Sequence, residues 1–136
     1  MQELLNLINS WLSITLGLNY EFGQMSESPP SYPYWVGDYK ETEGLTEDGV
    51  ENYTVILSGF SRGTYFEFET QKSSIESFFK FGQEQIVQPL STGNGETKVL
   101  VTVHFGDSTN ILNDEEDMDL KRCEIHLQSK IWKGYD

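Results

Sequence analysis

Between Asp107 and Asp119 the chain carries Asp114-Glu115-Glu116-Asp117 and Asp119, its densest run of carboxylates. Oxygen-rich loops hold calcium when their ligands alternate, a central glycine makes the sharp turn and a glutamate closes the ring. No glycine falls within residues 108–119, and both flanks have the pattern of strands, so the run reads as a solvated acidic hairpin tip. Glu41, Glu43, Glu47 and Asp48 form a second tip of the same kind. His104 and His126 would face each other across the last hairpin in one register. Two histidines make a weak metal signal, because a structural zinc needs four ligands. Cys123 falls on the apolar side of its strand, where a thiol acts as a small hydrophobe, whereas a nucleophile needs exposure and an electropositive neighbourhood. Gly-x-Gly-x-x-Gly and Walker-type loops are absent from the sequence. No catalytic, cofactor-binding or metal-binding set is expected, and function is sought in assembly.

The totals point the same way. At 136 residues the chain suits a single domain burying about two-thirds of its unfolded surface. Aliphatic residues are sparse and aromatics reach 13%, so an aromatic-heavy core is expected. Twenty-two acidic against nine basic residues give a net charge of −13. That balance argues against direct binding to a phosphate backbone, which needs clustered Lys and Arg. It suits solubility, or a surface that must not stick to nucleic acid passing nearby. A lone cysteine cannot form an intramolecular disulfide, which fits synthesis in a reducing cytoplasm. The apolar start MQELLNLINSWLSITLGL lacks the basic leader of a signal peptide. No run reaches the roughly 18 apolar residues of a membrane span, so a soluble protein is expected.

The elements that must position these groups centre on residues 32–62. Two runs rich in aromatic and β-branched residues flank the Glu41–Gly49 tip, the signature of a long hairpin. Tyr53, Val55 and Leu57 alternate with Thr54, Ile56 and Ser58, and both faces are largely apolar, which places this strand mid-sheet. Upstream, residues 2–16 predict an amphipathic helix with Leu4, Leu7, Ile8, Trp11, Leu12, Ile14 and Leu18 on one arc, Leu5 and Leu16 at its edge, and Gly17 ending it in a left-handed conformation. Asn19–Gln24 reads as a short strand and Met25–Ser31 as a proline-rich linker.

Downstream, Thr64 and Glu67 form a capping box for a helix over 65–81. Its arc holds Tyr65, Phe68, Ile75, Phe78 and Phe79, with Gly82 at the end and Glu76–Lys80 as an i,i+4 pair. Phe66 and Phe81 fall off that arc; residues at helix ends often fold under, so satellite packing is expected first, and an apolar patch covered only in an oligomer is the alternative. Gln83–Glu96 reads as a connection, with Gln85–Leu90 a short extended or helical piece. Lys98–Phe105 and Arg122–Trp132 read as strands. The second alternates Cys123, Ile125, Leu127 and Ile131 against Arg122, Glu124, His126, Gln128 and Lys130, which sets its register and gives it one wet face. The order α-β-β-β-α-β-β predicts a single α+β domain, with an antiparallel or mixed sheet of four to five strands and two packed helices.

In layout the chain resembles the phage tail-terminator or tail-to-head joining proteins. The likeness rests on the helix Glu3–Leu16, the Pro-Pro-Ser-Tyr-Pro-Tyr-Trp-Val-Gly entry into a strand, the hairpin ending at Phe60-Ser61-Arg62, the helix 65–81 and the closing strand pair. The resemblance implies a virion subunit, made in the bacterial host cytoplasm, that forms a hexameric ring. Such a ring stops tail-tube growth and docks the tail on the head, with DNA crossing the lumen, without catalysis, cofactor or membrane contact. Its partners would be its own copies and neighbouring tail or neck proteins. On that reading Trp35, Tyr39, Phe66 and Phe81 are candidate subunit contacts, since aromatics are enriched in interfaces. Exposed backbone at 32–40 would extend a sheet into a neighbour. The tips Glu41, Glu43, Glu47, Asp48 and Asp114, Glu115, Glu116, Asp117 are candidate lumen or contact loops.

The alternative reading is a small acidic module that blocks a host DNA-binding protein by imitating nucleic acid. A third, a hydrolase or metal-dependent enzyme, requires the two histidines and the 107–119 carboxylates to converge on one pocket.

Overall fold

The computed structural model describes residues 2–24, 31–43, 50–87, 96–103, 111–113 and 119–135. Two acidic hairpin tips, the linker 25–30 and His104 fall wholly or largely outside that set. In chain order the elements are helix α1 (Gln2–Asn9), a π-helical turn (Ser10–Thr15), β1 (Tyr20–Phe22), β2 (Tyr34–Glu43), β3 (Val50–Ser61), helix α2 (Tyr65–Phe79), β4 (Gln83–Val87), β5 (Glu96–Val103), β6 (Leu112–Asn113) and β7 (Lys121–Tyr135). The strands form one mixed seven-stranded sheet in the order β1-β2-β3-β7-β5-β4, with β6 also paired to β7. The α+β class and two helices agree with expectation, but the sheet is larger than the four to five strands expected. β4 is polar at its start and carries no alternation, and β6 is only two residues long, so neither has a periodicity to detect.

β3 and β7 hold the centre. Their antiparallel ladder runs unbroken from Val50↔Trp132 to Ser61↔Lys121. Its register puts Tyr53, Val55 and Leu57 beside Ser129, Leu127 and Ile125 on one face, and all are buried. On β5, Val99 and Val101 extend this face past Ile131 and Ser129. β2 joins the other side of β3, from Tyr34↔Phe60 to Glu43↔Asn52 with a bulge between Glu41 and Glu43. The hairpin strands therefore run further into the acidic segment than its composition implies. β1 is parallel to β2, which makes the sheet mixed.

Both helices lie over the apolar face. Thr64 caps α2 by accepting the Glu67 backbone N–H at 3.2 Å. The buried stripe is Phe68, Lys72, Ile75 and Phe79, a 4-3-4 spacing that keeps one side of a helix inward. Lys72 is buried because its ammonium donates to Glu76 Oε1 at 3.0 Å. The helical ion pair is thus Lys72–Glu76 in place of Glu76–Lys80, and the Lys80 ammonium sits over the Phe81 ring at 5.4 Å. Tyr65, expected on the apolar arc, is mostly exposed in the first turn of the helix. The helices meet edge to face, Trp11 lying 6.1 Å from Phe78 and 5.7 Å from Phe79.

The leading helix departs from a uniform α pitch. Leu16 N–H donates to Trp11 C=O, an i→i−5 bond, and Leu18 N–H to Leu12 C=O, both 2.9 Å. A wider turn shifts the phase of everything after it. Trp11 and Leu12 stay buried, whereas Ile14, expected on the apolar arc, is 76% exposed. Gly17 (φ 66°) and Gly82 (φ 90°) end their helices in the left-handed region, as their placement predicts.

Trp35 is fully buried, which removes it from the candidate subunit contacts. The register sets it opposite Gly59, and a Cβ on Gly59 would stand 2.5 Å from its ring. A glycine inside a strand marks such close approaches. The ring packs on Phe68 at 5.5 Å, and its Nε1–H donates to Gln71 Oε1 at 2.9 Å, so both its apolar body and its polar edge are used within the subunit.

Two measurements check this core by denaturant unfolding. Phe79→Ala is expected to destabilise the subunit by about 3–5 kcal/mol, the cost of emptying a buried aromatic site, while Phe66→Ala stays within about 0.5 kcal/mol of wild type. Gly59→Ala should cost about 1–3 kcal/mol by forcing a methyl group into the indole.

Candidate functional site

The sheet has a second face that neither helix covers. Residues alternating with the buried set project there: Tyr34, Val36 and Asp38 on β2, Ile56, Ser58 and Phe60 on β3, and Arg122, Glu124 and His126 on β7. Its apolar members are half-buried. At one end an aromatic ladder runs across strands, Tyr32 to Tyr34 at 5.3 Å and Tyr34 stacked on Phe60 at 5.1 Å. The Arg62 guanidinium lies over the Tyr32 ring at 5.9 Å, a cation–π contact. Burial pushes the Tyr34 phenol up, neighbouring Tyr32 adds to this, and Arg62 opposes it.

Beside this ladder, where β6 crosses the start of β7, lies a half-open cavity of about 330 Å³, walled by Ser58, Phe60, Leu112, Arg122, Cys123 and Glu124. Leu112 is over half exposed at its rim. The Arg122 side chain is exposed, and it makes no hydrogen bond or ion pair with the described residues. His126 Nε2 stands 3.9 Å from Glu124 Oε2. Sequence reasoning missed this cavity because β6, which closes it, is too short to show a pattern. An arginine paired across the ladder with an aromatic, Arg122 with Phe60, is the signal that register would have supplied.

The candidate contact residues separate. Phe66 and Phe81 are 80% and 91% exposed, so they do not fold under as satellite packing would require. Both lie on the helix side of the molecule, at opposite ends of α2. Tyr39 is 40% exposed but is engaged within the subunit, stacked on Phe22 at 5.9 Å and edge-on to Tyr53 at 6.1 Å. Extension of the sheet along 32–40 meets two obstacles. β1 already pairs with Trp35–Gly37, and the Tyr39 N–H, next along that edge, donates to Asp38 Oδ1 at 2.8 Å.

Of the acidic candidates, Glu41 and Glu43 sit at the end of β2, while Glu47, Asp48, Asp114, Glu115, Glu116 and Asp117 lie outside the described residues. The pairing of His104 with His126 also falls outside them. Among the described residues no three His, Cys, Asp or Glu side chains gather as a metal site, and no helix is long and apolar enough to cross a membrane.

Cys123 is buried. Burial pushes its thiol up to about 12, with the Lys72 ammonium opposing and Glu76 and Glu69 adding. Burial does the same to the Tyr20 phenol, also to about 12. Both acids hold their protons more tightly folded than unfolded. The stability they contribute is therefore complete below their ordinary values of 9.0 and 10.0 and is lost as pH rises through that range toward 12. Unfolding midpoints should fall steadily over this window, and Tyr20→Phe should flatten its upper part. Native Cys123 should resist alkylation at neutral pH and react on unfolding.

The chain matches no protein-family model and no curated protein sequence.

Proposed function

We propose that this chain is a structural subunit of a long-tailed phage or prophage particle, a ring-forming tail terminator or tail-to-head joining protein. It works by contact with copies of itself and with neighbouring tail or neck proteins, and is made in the bacterial host cytoplasm before joining the virion. The observation that carries the reading is the state of the α2 aromatics. The core is closed by Phe68, Ile75 and Phe79, yet Phe66 and Phe81 stand in solvent at opposite ends of the same helix. An isolated subunit gains nothing from exposed phenyl rings, whereas interfaces are enriched in them. The layout supports the reading further: a leading helix, a long hairpin at the sheet centre, a second helix and a closing strand. A net charge of −13 suits a ring around DNA that must pass without binding.

Deleting the gene from the particle's genome tests this. The expected outcome is full heads without attached tails, together with tails of uncontrolled length; normal virions would refute the assignment. A pull-down that recovers a basic host DNA-binding protein in place of virion components would favour nucleic-acid mimicry instead.

A further inference from the structure

The exposed ring of Phe66 and the cavity beneath Leu112 lie on opposite sides of the same sheet. α2 covers the face that carries Cys123, while the cavity opens beside Arg122 and Phe60 on the other face. Knob and hole therefore cannot meet within one subunit. They do lie at the same end of it. β3 finishes at Ser61, just past the cavity wall, and α2 begins four residues later at Tyr65. The Lys121 ammonium donates to Gly63 C=O at 3.2 Å, which ties this turn to the first residue of β7.

Resting on the self-assembly reading above, we propose that Phe66 of one copy inserts into the cavity walled by Ser58, Phe60, Leu112 and Arg122 of the next. Size allows it: an engineered apolar cavity of ~150 Å³ takes up benzene, and this one measures about 330 Å³. Charge favours the same pairing. Phe66 is followed by the exposed Glu67 and, one turn on, by Glu69, and the cavity wall carries the exposed Arg122 guanidinium together with Glu124, whose carboxylate stands 3.9 Å from His126 Nε2. In a chain of net charge −13, copies repel over most of their surface, and a contact that sets carboxylates against an arginine relieves this locally. The contact is heterologous, because the two halves of the interface differ. Such contacts propagate head to tail and either close into a ring or run on as a filament.

Sedimentation of purified full-length protein at millimolar concentration tests the contact. Wild type should form a closed multi-subunit species. Phe66→Ser removes the knob and Arg122→Glu spoils the hole, so each variant alone should remain monomeric while unfolding at the wild-type temperature. An equimolar mixture of the two retains one good knob and one good hole, and should give a 1:1 dimer and nothing larger. Filling the hole with Ser58→Trp should behave like Arg122→Glu. The proposal is overturned if wild type stays monomeric, if either variant assembles like wild type, or if the mixture stays monomeric or grows past a dimer. The gene-deletion phenotype is read separately. Tails of uncontrolled length alongside variants that still assemble would remove this contact and leave the functional reading standing.

Discussion

The pairing of β3 with β7 is the constraint on which the rest of the molecule depends. Twelve residue pairs without a bulge lock two central strands in one phase, and that phase decides which side chains the helices can cover. A slip of one residue would turn Tyr53, Val55 and Leu57 away from the helices and bring Asn52, Thr54 and Ile56 beneath them. The buried stripe of α2 would then lose its apolar floor. Every other strand inherits its face from this ladder, β2 through its register with β3 and β5 through its register with β7.

The sides of the molecule differ as a result. One is closed by two helices joined through Trp11, Phe78 and Phe79. On the other, Tyr34, Phe60 and Arg122 project beside the cavity, and Asn52 and Thr54 are buried further along β3. Because α2 follows β3 after only a short turn, its first residues stand level with that cavity across the thickness of the sheet. A single connection therefore links two unlike surfaces of the subunit.

Much of this was legible in the chain itself, where periodicity is strong. The alternation of Cys123, Ile125 and Leu127 set the buried side of β7, and the Thr64–Glu67 spacing marked the start of α2. Gly17 and Gly82 stood where left-handed residues end helices, whereas the off-arc angle of Phe66 and Phe81 left satellite packing and exposure both open. The misreadings have separate causes. Composition alone offers Trp35 as a contact, because its burial depends on a slot left by Gly59, a residue distant in sequence that only register brings opposite. Ile14 was placed in the core because a uniform α pitch was assumed where the backbone widens by one residue. Lys72 went unnoticed because a lysine in an apolar stripe becomes tolerable only once Glu76 is seen to pair with it, and the cavity was invisible because two-residue β6 leaves no trace in composition.

The Asp38 carboxylate that occupies the Tyr39 N–H has a consequence for how identical copies can live together at high concentration. Bare strand borders invite open-ended cross-β growth, in which backbone amides recruit one chain after another without limit. Here the first donor past β1 is already spent inside the molecule, and the bulge between Glu41 and Glu43 bends the remainder of that border. Along this border, association is thereby left to side chains, whose geometry can specify a finite number of neighbours.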